Sequence, residues 1–500
     1  MTGFLQCVRR SGVRLVSCGI IVSLALLPLA RAQPIGIPSM GAASSSELSP
    51  ELERILGAAL MEHGRRDPTY IGDPDIDQYL TRMGRKLVAH SGNGAQHIEV
   101  FAVRDPQINA FTMPGGYIGV NSGLVVATTN ESELASVVAH EVGHVVLRHI
   151  ARGMTQQAQN GGVLLATLVG ALLAALSGSG NLAMGVAAFG QAAAIDRQLS
   201  FSRGAEQEAD REGFRMLTKA GYDPRGMVQM FRALMSKTSL NEGTGSPFAQ
   251  THPLSIQRLS DIENRVSQMA PVHYQDSNDY WFVRAKLRAM QASDNDARRE
   301  VLHEFQADAR NLSGAARSAA WYGAAYIAWQ GHDAAKAETA LDQARLSGDS
   351  LEIAELSAAI AGDQGHSAQA LELTRSAWKK WPRSQGVALA LARAMQQSGD
   401  VKGAAAFLEA RIKQWPGVPI MYKWLAQAYE QLGKKVEARR TMAKYYERTG
   451  ALPTAVEQLR QARSLSHDFY VQSELDAQIK MLRQKLETER ELLKQFKIQP

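Results

Sequence analysis

His140-Glu141-Val142-Gly143-His144 sets two imidazoles four residues apart. On an α-helix that spacing places both on one face, where each can direct a ring nitrogen to a single divalent ion. Glu141 follows the first histidine directly. There a carboxylate can take a proton from a water held by the metal without becoming a ligand itself. The chemistry implied is metal-assisted hydrolysis of an amide, with the ion lowering the pKa of its water toward neutrality and polarising the carbonyl under attack. The competing reading is an ordinary helix with two histidines by chance, and the residues around the motif argue against it.

A catalytic zinc takes three protein ligands and keeps one position open, so a third ligand must come from elsewhere. His149 is the nearest histidine. On a continuous helix it would lie about 140° round from His144, so it reads as structural. A better source is Ser202-Arg203-Gly204-Ala205-Glu206-Gln207-Glu208-Ala209-Asp210, which opens a helix running to about Ala220. Glu206 and Asp210 share a face of it. One carboxylate can bind the metal while the other holds a ligand histidine by its distal N–H. Glu208 is the rival, displaced by about 200° from Glu206, so only one of the two faces the metal.

These residues need rigid elements beneath them. Asn130 or Ser132 caps a helix starting near Glu131, and Leu134, Val137, Val138, Val142 and Val145 keep a helical period to about Arg152. Upstream, the pattern is helical from about Glu47 to His90, interrupted by Gly72-Asp73-Pro74. Strand patterns follow at His97–Val103, Ile108–Thr112 and Tyr117–Val120, around Pro114-Gly115-Gly116. Residues 161–194 are almost uncharged, but each half is too short to cross a bilayer. They read as a buried helical hairpin over the site, or else as a flap making peripheral contact with membrane or substrate.

The His-Glu-Val-Gly-His helix, the Glu-x-x-x-Asp opener preceded by Ser-Arg, and Asn109-Ala110-Phe111 before Pro114-Gly115-Gly116 together resemble the M48 family of zinc peptidases. The resemblance covers about residues 48 to 270. It implies His140, His144 and Glu206 as ligands of one Zn2+, Glu141 as catalytic base, and Asp210 behind a ligand histidine. It also implies an edge strand through Asn109, Ala110 and Phe111 on which an extended peptide pairs by main-chain hydrogen bonds. His252, in Thr251-His252-Pro253-Leu254, belongs to a motif of exported, repeat-bearing members. It is a candidate fourth ligand or oxyanion stabiliser, or a cap for the following helix.

The C-terminal half carries a period. Gly331, Gly365, Gly399 and Gly433 are each 34 residues apart, and Trp381-Pro382 recurs at Trp415-Pro416 with the same spacing. This resembles the tetratricopeptide repeat, in which a small residue follows the glycine by five positions. Ala370, Ala404 and Ala438 fill that place, while Lys336 departs from it. Degenerate helices flank the array at Asp279–Ala309 and Val456–Lys497. Stacked units of this kind form a curved solenoid with a groove suited to proteins.

The N-terminus reads as an address. Arg9, Arg10 and Arg14 precede an apolar run from Leu15 to Leu29, and Ala30-Arg31-Ala32 supplies a small-x-small cleavage pattern, so the mature chain would begin near Gln33. Residues 1–32 hold four arginines and no acid, so the formal charge of +6 falls to +2 (6 − 4) and the two cysteines, Cys7 and Cys18, leave with them. No basic excess then argues for nucleic acid.

The expected architecture is an α+β zincin-type metallopeptidase domain, mostly helical with a small sheet, followed by an all-α tetratricopeptide-repeat solenoid. The parts are a signal peptide at 1–32, a flexible lead at 33–47, the peptidase domain at 48–270 and the repeats at 271–500. Exported family members with such repeats imply a periplasmic location, misfolded or unfolded protein substrates and partnership with the outer-membrane barrel-assembly machinery. The alternative is an assembly chaperone or scaffold with latent protease activity.

Overall fold

The computed structural model describes residues 49–92, 96–153, 201–240 and 247–495. The expected signal peptide, the flexible lead and the uncharged 161–194 segment lie outside the described residues. No described helix is long and apolar enough to cross a membrane.

Helices α1 (Pro50–Gly64) and α2 (Pro74–Val88) are parted by the expected turn. Gly72 adopts a φ of 60° there, and the Asp73 side chain caps α2 by accepting from the amides of Asp75 and Ile76. Strands β1 (Glu99–Val103), β2 (Ala110–Met113) and β3 (Tyr117–Asn121) form a sheet in the order β1-β3-β2. β1 runs parallel to β3 and β2 antiparallel to it. The outer side of β1 is met by a bridge from Tyr70 to Val103, so among the described residues β2 is the open edge.

Asn121 donates its amide to the Asn109 carbonyl at 3.0 Å. Bonded pairs recur at every second residue of an antiparallel ladder, so Phe111 and Met113 also bond to β3. The backbone groups of Ala110 and Thr112 are left facing the open edge.

After α3 (Ser122–Ala127) comes α4 (Glu131–Val146), the helix of the two histidines, all of whose residues are buried. Asn130 is its cap, accepting from the Glu133 amide at 2.9 Å. The helix ends at Val146 rather than near Arg152. Arg148 turns to a φ of 53°, and its guanidinium is held by Glu53 of α1 at 2.9 and 3.1 Å. A tertiary ion pair thus overrides a helical pattern that local periodicity would continue.

Helices α5 (Arg203–Lys219), α6 (Arg225–Leu240), α7 (Pro247–Thr251) and α8 (Ile256–Ser267) complete this half. α4 and α5 approach closely because each offers a glycine to the other's backbone. A Cβ on Gly143 would lie 2.9 Å from the Ala209 carbonyl oxygen, and one on Gly213 would lie 3.0 Å from that of Ala139. The two helices that carry the candidate ligands are therefore pressed together next to those ligands.

The repeat half comprises α9 (Asn278–Gln291), α10 (Asn295–Asn311), α11 (Gly314–Gln330), α12 (Ala334–Ser347), α13 (Leu351–Asp363), α14 (Ser367–Lys380), α15 (Gln385–Gln397), α16 (Val401–Gln414), α17 (Pro419–Gln431), α18 (Lys435–Arg448), α19 (Leu452–Leu465) and α20 (Phe469–Gln495). Gly365, Gly399 and Gly433 take left-handed φ values of 80°, 90° and 71° at the turns. The first repeat differs, since Gly331 has a φ of −80° and His332 takes the left-handed position at 60°. Ala370, Ala404 and Ala438 are buried between helices, whereas Lys336 is exposed and pairs with Asp333.

The expected boundary after residue 270 is not a break in packing. Tyr280, Val283 and Leu287 of α9 join the core of the first half, while Phe282, Ala285 and Ala289 of the same helix join that of the repeats. The repeats also touch the first half farther along, where Gln78 donates to the Arg383 carbonyl at 3.0 Å and Arg65 to that of Arg448 at 3.3 Å.

Candidate metal centre

His140 and His144 lie one turn apart on α4, and Glu206 enters from the first turn of α5. His252 follows α7 directly. One ligand atom from each of these four buried residues falls within 4.8 Å of every other. His144 Nε2 is 3.0 Å from His140 Nε2, which is 3.3 Å from His252 Nδ1. Glu206 Oε1 lies 3.0 Å from His252 Nδ1 and 3.5 Å from His144 Nε2, and its Oε2 lies 3.4 Å from His140 Nε2.

Donors at zinc-type bond lengths of about 2.0–2.1 Å in a tetrahedron stand about 3.3 Å apart. The spacing therefore fits one divalent ion at the centre, and three imidazoles with one carboxylate suit such an ion chemically.

A second layer holds these groups. Asp210 Oδ1 lies 3.0 Å from His140 Nδ1, the nitrogen that points away from the cluster. Arg258 grips Asp210 with two hydrogen bonds of 2.6 and 2.8 Å, lies 2.8 Å from Glu206 Oε2 and donates to the Pro253 carbonyl. Arg258 is buried, so this is a desolvated, charge-assisted clamp on both carboxylates of α5.

The titration behaviour follows from these contacts. Burial presses the His140 imidazole down, but hydrogen bonding and charge from Asp210 and Glu206 outweigh it and hold the group up at about 10. Burial would raise Glu206 and Asp210. The imidazoles around Glu206, and Arg258 with His140 around Asp210, instead keep both below the usual carboxylate range. Burial and the neighbouring cations drive His144 well below an ordinary histidine.

Glu141 is fully buried beside the cluster. Thr112, on the edge strand β2, donates its hydroxyl to Glu141 Oε2 at 2.7 Å. Glu141 Oε1 accepts no hydrogen bond and stands 3.5 Å from His252 Nε2. One oxygen is thus fixed by the strand and the other faces the cluster.

The structure gathers His140, His144, Glu206 and His252 at one point, with Asp210 and Glu141 alongside. Asn109 lies just before β2, with Ala110 and Phe111 on it. The following helix is capped by Ser255, which corrects the capping reading of His252. Glu208 is not in the cluster and pairs with His149 at 3.2 Å and Arg152 at 3.0 Å.

Three neighbours escaped the sequence reading. A continuous helix turns His149 away and makes it read as structural; the break at Arg148 instead brings its Nδ1 to 3.0 Å from His144 Nδ1. Arg258 carries a signal only in lying six residues beyond His252. Thr112 carries none beyond its strand.

With this geometry in place, known proteins can be compared. The pattern defining peptidase family M48 matches residues 74–266, and that of the tetratricopeptide repeat matches residues 363–417. The chain belongs to peptidase family M48 and is a metallopeptidase whose family implies a divalent metal.

It is 34% identical over 333 residues to a putative beta-barrel assembly-enhancing protease of Vibrio cholerae, covering 66% of this chain and 67% of that one. It is 34% identical over 272 residues to the beta-barrel assembly-enhancing protease of Escherichia coli K12, covering 54% and 55%. It is also 34% identical over 186 residues to the mitochondrial metalloendopeptidase OMA1 of Schizosaccharomyces pombe, covering 37% and 51%. The match thus spans about half the length of the last two relatives.

Proposed function

We propose that this chain is a zinc-dependent endopeptidase of the periplasm that hydrolyses peptide bonds of misfolded or stalled outer-membrane proteins, with its repeats recruiting substrate or the barrel-assembly machinery. The observation that carries the reading is the convergence of His140, His144, Glu206 and His252 within 4.8 Å, with the Glu141 carboxylate beside them. The names of the relatives support the barrel-assembly context.

His140, His144 and Glu206 would hold the ion. When bound, it supplies a Lewis acid for the scissile carbonyl and makes its water a nucleophile near neutral pH. The chain's own part begins with the open edge of β2, where the outward backbone groups of Ala110 and Thr112 pair with an extended substrate and lay its carbonyl beside Glu141. Glu141 Oε1 takes the proton of the attacking water and delivers it to the leaving amine, while Thr112 keeps the other oxygen from rotating away. Asp210 holds His140 Nδ1, which fixes the tautomer whose Nε2 lone pair faces the cluster.

His252 favours a second reading of the resting state. A fourth protein donor closes the coordination as in structural sites, whereas catalysis keeps one position open. With His252 in place the protease is latent and the repeats can serve assembly as a chaperone or scaffold. Metal analysis of the purified protein, with casein digestion by wild type and Glu141→Gln, tests the enzymatic reading. One bound zinc per chain in both forms, and activity lost only in the variant, is the expected result. Equal activity in both overturns the mechanism.

A further inference from the structure

Where the repeats meet the peptidase half, buried acids outnumber cations. Asp75, in the first turn of α2, accepts from Ser384 Oγ at 2.7 Å and from the Gly386 amide at 3.2 Å. Ser384 caps α15 and Gly386 lies in its first turn, so a carboxylate of one half also caps a helix of the other. A Cβ on Gly386 would fall 1.7 Å from Asp75 Oδ2 and 2.6 Å from Glu355 Oε1. Only glycine admits two carboxyl groups this close to the backbone.

The carboxyl groups of Asp75 and Glu355 thus crowd one point against Gly386. Two carboxyl groups set this close together away from water favour a state in which one of them carries a proton. The Glu355 Oε1 atom is shut off from solvent and accepts no hydrogen bond.

The other charges facing this point are few. Lys286 of α9 pairs with Asp73 at 2.5 Å. Glu352 of α13 is buried, Asp279 of α9, itself paired with Arg82 of α2, acts on it from a distance, and the phenols of Tyr322 and Tyr326 on α11 lie near Lys286, with Arg104 acting on Tyr326. Asp73, Asp75, Glu352 and Glu355 thus confront a single cation, and the seam closes without excess charge only if some of the acids are neutral.

We propose that this seam is a proton-held latch: the repeats stay seated on the peptidase half while Glu355 and Glu352 keep their protons, and unseat along α2, α13 and α15 as those protons are lost. Burial, reinforced by the charge of Asp75, pushes Glu355 well above the usual carboxyl range, and burial with Asp75 and Asp279 takes Glu352 up to about 8. An acid raised on docking takes up a proton as the seam closes. Seating is therefore strongest below the ordinary value of 4.5, and it weakens by about tenfold per proton for each pH unit as pH rises through the docked value.

Hydrogen exchange of the full chain, read at the amides of residues 75–80 and 385–390 and corrected for intrinsic rates, tests this. In wild type the opening constant should rise at least about tenfold between pH 6 and pH 8. Glu355→Gln, whose amide donates to Asp75 at every pH, should lower the slope of log opening constant against pH by about one. The double variant Glu352→Gln/Glu355→Gln should be flat at 385–390, and at 75–80 it should keep only the slope that Asp77, raised to about 7, supplies. Glu352→Gln should lower the slope likewise, and either single variant can be read alone if the other fails to fold. A flat wild-type profile, or a glutamine variant with the wild-type slope, overturns the proposal.

Discussion

His149 Nδ1 stands 3.0 Å from His144 Nδ1, on the side of that imidazole remote from the ligand cluster. Two ring nitrogens at this distance share one proton. If His144 is to offer a bare Nε2 to a metal, its Nδ1 must donate, and His149 must accept there while donating from Nε2 to Glu208, 3.2 Å away. The relay exists because α4 stops at Val146 and the chain turns through Arg148 before helical structure resumes at 149. Replacing His149 with Ala should weaken zinc binding about 10- to 100-fold, measured by competition with a chromogenic chelator, with the fold retained by circular dichroism.

Arg258 is a more severe case. Its removal would leave Asp210 and Glu206 buried without their common cation, so Arg258→Ala should cost roughly 3–5 kcal/mol in chemical denaturation of the metal-free protein. Arg258→Lys keeps the charge but loses the fork, and should recover only part of the loss.

His252 separates two roles by the sign of one measurement. As a donor that closes the coordination, its loss in His252→Ala should raise the turnover of an unstructured substrate such as casein. As an oxyanion stabiliser, its loss should lower turnover by about 10²–10³-fold. Initial rates at saturating substrate decide between them.

Stability should also depend on Asp77, whose carboxylate accepts from the Tyr70 hydroxyl and the Ala102 amide. Burial carries this group up to about 7. An acid raised in the folded state binds a proton that the unfolded chain releases, so its contribution is complete below about pH 4 and is lost as pH rises through 7. Thermal unfolding between pH 5 and pH 8 should therefore show a falling Tm in wild type and a shallower fall in Asp77→Asn.

Local spacing made much of this architecture legible. The recurrence of glycine every 34 residues marked the turns from Gly365 onward, and the alternation in 97–103, 108–112 and 117–120 located the strands to within two residues. Spacing of four announced that Glu206 and Asp210 share a face, though not what faces them. What stayed hidden depends on contacts between distant parts. The turn at Arg148 is held by Glu53, 95 residues away; Arg258 reaches Asp210 across 48; and Asp75 caps a helix 309 residues farther on. Periodicity reports the face a residue occupies, and it carries no information about which other face will meet it.

The bridge from Tyr70 to Val103 bears on how this sheet can be used. By stitching shut the flank beyond β1, it makes the sheet a one-sided template among the described elements. On the proposed function, a substrate strand that zips onto it would do so along β2, and so come to rest beside the carboxylate of Glu141. Capture by backbone and exposure to hydrolysis would then be a single event, with side-chain identity having little part in either.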